Sequence, residues 1–341
     1  MGRIALGIAA IGLAVAGAAA AQTVPALRLP YAAISPDEAL SLGGARVFSE
    51  VDAGYAARLK AEKARVAASQ PYEVHPAIWR ISDPDTTIYL FGTVHTLPPG
   101  FRWRNPGLEA VIVRADTLLL ESTEEDDKDA NFLTLPSDAS LPPLIERVSH
   151  RSRAKLAELQ GVLPAELVAQ MDRMPSWVAA MSIGTIKDMV AGDMPSQGAD
   201  DWLEKQFRAT GRPVEAIEDS KQVMDNIGTV PEADQRLMLE AAILAPARTH
   251  DELDSAAHAF ARGEVGTDSP LMILPTAFDP NAAMADPLLL ERNAAWVDSL
   301  VARLRERRGT ILFAAGAGHF VGPGSVIDLL GKRGLKVERV Q

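Results

Sequence analysis

The chain has 341 residues, 47% of them apolar, with 34 basic and 45 acidic side chains and a net charge of −11, enough for one large or two small domains. The acidic balance argues against nucleic acid and anionic lipid as partners, since both demand clustered Lys and Arg. There is no cysteine, which excludes disulfides, a lipid-bearing N-terminal Cys, covalent haem attachment and thiolate zinc, so a metal site must draw on His, Asp, Glu, Asn or water.

The N-terminus reads as an export signal. Arg3 supplies the positive start, Ile4 to Val15 the apolar run, and the Ala-rich exit before Gln22 a cleavage point after Ala21. A retained anchor is the alternative, but the apolar run is short for a span. The expected location is therefore periplasmic or secreted, with no stable membrane span after cleavage. Residues 22–76 read as a leader. Its prolines keep the first part irregular, and the Ala-, Lys- and Glu-rich stretch from Val47 predicts an exposed helix with little apolar periodicity.

From residue 77 the pattern becomes that of an α/β domain. Ala77–Ser82 and Thr86–Phe91 predict a hairpin around Asp83-Pro84-Asp85. Ile88–Phe91 is apolar throughout, as in a strand buried on both faces. It runs into Gly92-Thr93-Val94-His95, where Gly92 is expected to allow a sharp turn and His95 to project from the strand's C-terminal end, the edge where α/β sheets bind ligands. A helix over Pro106–Ala115 and a short apolar strand ending in Glu121 complete a βαβ unit. If the two strands are parallel neighbours, Glu121 shares that edge with His95.

The acidic run Glu124–Asp129 reads as a solvated loop without calcium-ligand spacing. Residues 141–263 predict a helical insertion over one face of the sheet, with helices at Leu144–Leu159, Pro164–Met171, Ser176–Val190, Asp200–Thr210, Ser220–Ile227, Ala233–Leu244 and Asp251–Arg262. One short strand, Pro213–Ile217, interrupts them and leads to Glu218-Asp219. After a Pro-rich loop over Asp268–Asp286, a helix opening at Asp286-Pro287 carries Leu289, Asn293, Trp296, Leu300 and Leu304 on one face, so Asn293 points inward. Thr310–Ala315 is the second fully apolar strand and again ends in a Gly-x-x-His, Gly316-Ala317-Gly318-His319, before a helix at Val326–Lys332 and a last strand at Leu335–Val340. The fold class expected is α/β, a mixed and largely parallel sheet built from two half-units.

Two of the six histidines thus follow an apolar strand at the same offset from a glycine. Two His and a carboxylate leave a divalent ion open positions for water. Such an ion brings that water's pKa toward neutrality. The dinucleotide fingerprint, the P-loop lysine, HExxH and GxSxG are all missing.

At these residues the chain resembles the TraB/PrgY/GumN family, relatives of the Tiki metalloproteases. The likeness runs from Gly92-Thr93-Val94-His95 and Leu120-Glu121 through Gly198-Ala199-Asp200-Asp201-Trp202-Leu203 and Val214-Glu215-Ala216-Ile217-Glu218 to Glu291-Arg292-Asn293 with Trp296, and ends at Gly316-Ala317-Gly318-His319. It spans Ile78 to Val340. It implies an α/β fold, a hydrolase-like site, peptidase chemistry in the Tiki relatives, and a divalent ion such as Mn, Co or Zn held by His95, His319 and Glu121. Arg292 and Asn293 would support the site. Glu218 would join it, although Asp219 stands where the family has threonine. Two alternatives stay open: haem or metal binding without chemistry, as in a distant haem-binding relative, and a metal-free esterase using His and Glu, as in erythromycin esterase relatives. The resemblance names neither a peptide or small-molecule substrate nor an oligomeric state.

Overall fold

The structure, a computed structural model, describes residues 49–123, 140–272 except 162 and 164, and 289–341. The expected export signal, residues 22–48, the acidic run Glu124–Asp129, most of the Asp268–Asp286 stretch and the helix start expected at Asp286-Pro287 lie outside the described residues. No helix among the described residues is long and apolar enough to cross a membrane.

In chain order the elements are α1 (Ser49–Ser69), β1 (Ile78–Ser82), β2 (Thr86–Thr93), β3 (Thr96–Leu97), α2 (Pro106–Arg114) and β4 (Thr117–Leu120). Then come α3 (Leu144–Arg147), α4 (His150–Gly161), α5 (Ala165–Met171), α6 (Ser176–Ala191), β5 (Ser196–Gln197), α7 (Ala199–Ala209) and β6 (Val214–Ala216). The chain closes with α8 (Ser220–Gly228), α9 (Glu232–Leu244), α10 (His250–Arg262), α11 (Glu291–Glu306), β7 (Gly309–Gly316), a 3-10 turn (Ala317–Phe320), α12 (Val326–Lys332) and β8 (Glu338–Arg339).

Six strands form one sheet in the order β6-β4-β7-β2-β1-β8, and β3 pairs with β5 in a separate ribbon. β6, β4, β7 and β2 are parallel, whereas β1 runs antiparallel to both β2 and β8. The two all-apolar strands lie at the centre. They pair in register from Thr86↔Gly309 to Thr93↔Gly316, so the two Gly-x-x-His segments leave the sheet side by side. This corrects one expectation. β4 is parallel to β2 but is not its neighbour, because β7 lies between them. Glu121 and His95 therefore flank the strand that delivers His319. The last strand is also shorter than expected, two residues on the sheet edge.

Alternation along the strands splits the core into two layers. Tyr89, Phe91, Leu118, Leu120, Leu312 and Ala314 face one side with residues of α2, α7 and α10. Ile88, Leu90, Leu119, Ile311, Phe313 and Ala315 face the other with residues of α11 and α12. The helical insertion departs from the layer predicted for it. Only α7 and α10 join the sheet core, and the other helices bury a third cluster of their own around Leu156, Trp177, Ile183, Ile227 and Leu239. The helix expected over Leu144–Leu159 is broken at Val148-Ser149, where the Ser149 N–H and hydroxyl bond Glu240 of α9.

The N-terminal helix is not merely exposed. Val66 of α1 is fully buried in the sheet core, and Arg65 pairs with Asp254 of α10 at 2.7 Å. Near this contact, burial together with Asp188 and Asp254 pushes the Asp193 carboxyl up to about 6. A folded chain that keeps this proton where the unfolded chain has lost it loses stability as pH rises from roughly 4 to 6. Asp193→Asn is therefore expected to add about 1–2 kcal/mol at pH 7.5 and nothing below pH 4, read from urea unfolding at both pH values.

Candidate functional site

The site sits over the C-terminal edge of the parallel strands, where the two sheet faces meet. β2 runs straight through Gly92 to Thr93, so Gly92 is not the turn its sequence suggested. A side chain there would place a Cβ 2.9 Å from the Ala317 Cα. Glycine is needed because the 3-10 turn carrying His319 packs directly on the strand.

His95 leaves β2 and is fixed from the first face. The ribbon ties Thr96 to Gln197 and Leu97 to Ser196, and the Ala199 N–H donates to the Val94 carbonyl at 3.0 Å. Gly198 allows this close approach, since a Cβ on it would lie 2.1 Å from the His95 carbonyl oxygen. Asp200, in the first turn of α7 and almost fully buried, is thereby brought to His95, whose Nδ1 lies 2.8 Å from Asp200 Oδ2. A carboxylate accepts only from a protonated Nδ1, which leaves Nε2 pointing away from it.

His319 is fixed from the opposite face. Asn293 on α11 uses its Nδ2 to donate to the Gly324 carbonyl at 2.9 Å, so its Oδ1 accepts from His319 Nδ1 at 2.6 Å. The Trp296 ring packs on the imidazole with centroids 4.2 Å apart. His319 is buried, and that burial pushes its pKa down to about 3 against the pull of Glu121. It is a neutral imidazole with Nδ1 protonated, and its Nε2 lies 4.0 Å from Glu121 Oε1.

Glu121 lies one residue beyond β4. Its Oε1 accepts from the Gly316 N–H at 2.5 Å and its Oε2 from Arg292 at 2.6 Å. Burial opposes its ionisation, but the neighbouring positive groups and the Gly316 N–H overcome it and hold the carboxyl well below the usual range. With His319 neutral, that role falls chiefly to Arg292. Arg292 also grips Glu218, at 2.5 Å from Nη2 and 3.0 Å from Nε. The Trp296 Nε1–H donates to Glu218 Oε2 at 2.7 Å. Burial nevertheless outweighs these bonds and raises the Glu218 pKa. As placed, Glu218 holds Arg292 and Trp296 in register. Asp219, where the resembled pattern has threonine, caps α8 by accepting from the Lys221 and Gln222 N–H groups, a task either residue performs.

Gly316 is the floor where these groups converge. A Cβ built on it would lie 3.2 Å from Glu121 Oε1, 3.3 Å from His95 Nε2 and 3.7 Å from His319 Cδ2. All six residues singled out in the sequence thus gather here: His95, Glu121 and His319 around the floor, with Glu218, Arg292 and Asn293 behind them. Of the two imidazoles, His95 is the accessible one, its side chain 38% exposed against 6% for His319. Sequence reasoning missed Asp200 as the partner of His95. Its signal was an acid on the buried stripe of α7, in register with Leu203 and Phe207.

The donor set suits a divalent cation in kind. Both imidazoles donate through Nδ1 to a side-chain oxygen, the usual arrangement behind metal-ligating histidines. The ionised carboxylate supplies a third donor, and polar atoms of Glu121 and His95 both approach the open side of Gly316. In spacing the set is slightly open. Bonds of roughly 2.0–2.2 Å bring adjacent ligand atoms of one ion to about 3.0–3.5 Å, against the 4.0 Å between His319 Nε2 and Glu121 Oε1. Among the described residues no three His, Asp or Glu side chains are grouped tightly enough to hold an ion without adjustment.

Sheet, flanking helices and paired histidines define an α/β protein with a two-histidine, one-carboxylate cluster at the parallel-strand edge. The chain matches the model of the TraB/PrgY/gumN family over residues 77–339, and it belongs to that family. It is also similar to an uncharacterized protein of Treponema pallidum (strain Nichols), 24% identical over 274 residues, covering 75% of this chain and 80% of the relative. No solved structure matches it.

Proposed function

We propose that this protein is an exported, metal-dependent hydrolase whose substrate is a peptide or a small molecule with a hydrolysable carbonyl. One observation carries the reading: two imidazoles from opposite faces of the sheet, each tied through Nδ1, reach the same point over Gly316 beside an ionised Glu121. His95, His319 and Glu121 would hold the ion, with manganese, cobalt or zinc as candidates. Bound there, it would supply Lewis-acid polarisation of a carbonyl and activation of water near neutral pH. Asp200 and Asn293 fix the two ring orientations. Arg292 keeps Glu121 deprotonated and aimed. The exposed edge of His95 faces the side from which substrate arrives.

The test is hydrolysis of a peptide library and of model esters by the purified mature chain, with manganese, with zinc and with a chelator, alongside metal analysis of the protein. Cleavage that needs added ion and stops with chelator is expected. Activity indifferent to chelation, with no metal bound, would replace this reading by a metal-free esterase. A Soret band on haem titration that vanishes in His95→Ala would replace it by haem binding.

A further inference from the structure

The hydroxyl of Thr93 is an anomaly in an otherwise well-satisfied site. Thr93 is the last residue of β2, only 1% exposed, and its Oγ1 finds no hydrogen-bond partner among the described residues. A buried hydroxyl is normally bonded, and one left unbonded lowers stability. Its place in the sheet suggests what it bonds. Thr93 is the in-register partner of Gly316 across the β2–β7 pair. In-register residues of neighbouring parallel strands point their side chains to the same face. The preceding pair on that face, Phe91 and Ala314, indeed shares one core cluster. The Thr93 side chain therefore stands beside the space that a Gly316 side chain would fill, about one strand spacing of 4.8 Å away. That space is bounded by Glu121 Oε1 at 3.2 Å and His95 Nε2 at 3.3 Å. Polar atoms of two side chains thus face the open side of Gly316, and a water bonded to the Thr93 hydroxyl there finds the further polar partners that an ordered water requires.

We infer that Thr93 is a further ligand-binding residue of the cluster, its hydroxyl holding a water molecule in the space over Gly316, an inference that rests on the metal-dependent reading above. Threonine serves here because its hydroxyl both donates to and accepts from water, while its methyl fills the core as valine would. Gly316 serves because any larger residue fills the space. A water held by Thr93 beside Glu121 and His95 would supply an oxygen donor of the kind a divalent ion takes beyond its protein ligands.

The test is a manganese titration of the purified full-length protein without substrate, followed by the electron paramagnetic resonance signal of free Mn²⁺, on wild type, Thr93→Val, Thr93→Ser and Gly316→Ala. Melting temperatures are taken on the same samples. Thr93→Val is expected to weaken manganese binding about tenfold or more, the scale of losses seen when groups around metal ligands are removed. Its melting temperature should change little, since valine keeps the volume and only one hydroxyl–water bond is lost. Thr93→Ser should bind within about twofold of wild type, because it keeps the hydroxyl. Gly316→Ala places a methyl in the space and should weaken binding as Thr93→Val does. If Thr93→Val does not fold, Gly316→Ala and Thr93→Ser carry the test. Wild-type affinity in Thr93→Val, or in Gly316→Ala where that variant carries the test, overturns the inference and leaves the metal reading standing. No manganese binding by the wild type overturns both.

Discussion

Arg292→Met is expected to cost about 3–5 kcal/mol of folding stability at pH 7.5, the scale for a buried ion pair that loses one member. Arg292 is the cation between two carboxylates, the buried Glu121 and the largely buried Glu218, at 2.6 and 2.5 Å. Methionine fills much of the volume but leaves two negative charges facing each other in a poorly hydrated space. The cost should depend on pH in a definite direction. In the wild type the depressed Glu121 pKa contributes stability that is full above its unfolded value near 4.5 and is lost as pH falls through the folded one. Without Arg292 the balance reverses, because burial then favours the protonated form of both acids. The variant should gain stability on acidification from 7.5 to 5, and its deficit against wild type should shrink. Glu218→Gln in the same chain should recover part of the loss. Urea unfolding of the three proteins at both pH values reads this out. A deficit under about 1 kcal/mol, or one that does not change with pH, would mean that the carboxylates are solvated and that Arg292 does not govern Glu121. Lysine is not an adequate substitute, since one ammonium cannot reproduce the guanidinium fork.

Much of this centre was legible in the chain. β2 and β7 are marked by unbroken apolar runs, as strands buried on both faces must be. The stripe of α11 carries Asn293 among Trp296, Leu300 and Leu304, and that inward amide proved to be the partner of His319. The order of the parallel strands was not legible. Apolar periodicity says that Thr117–Leu120 is buried, not whether β2 or β7 lies beside it, because parallel pairing is decided by crossovers distant in sequence. The Asp200–His95 bond was hidden for the same reason, spanning 105 positions. In the docking of α1 the buried apolar side chain among the described residues is Val66, beside the Arg65–Asp254 ion pair, too little to raise a periodic signal. The break at Val148-Ser149 depends on Glu240 of α9, a partner 91 positions away in the chain.

The two histidines should respond differently to truncation although both face the same space. His95→Ala removes a ring that is partly open to solvent, and water can then reach Asp200. A loss of about 1–2 kcal/mol is expected. His319→Ala empties a buried position beneath the Trp296 ring and strips Asn293 Oδ1 of its donor. About 2–4 kcal/mol is expected there at pH 7.5, from cavity and unpaired acceptor together. Acid should narrow the second deficit. The folded chain keeps His319 neutral down to about pH 3, whereas an unfolded histidine takes up its proton near 6.5. Wild-type stability therefore falls as pH drops from 6.5 toward 3, on the order of 1 kcal/mol per pH unit from this group. The alanine variant has no such proton to exclude and should fall less. Manganese binding, by contrast, should be lost from both variants by about a hundredfold or more, since each removes one of three protein ligands. Thermal or urea unfolding at pH 7.5 and 5, with a manganese titration of each variant, separates the two effects. Equal stability losses would contradict the asymmetric burial of the two rings. Undiminished manganese affinity in either variant would show that its imidazole is not a ligand, and the convergence over Gly316 would then serve packing alone.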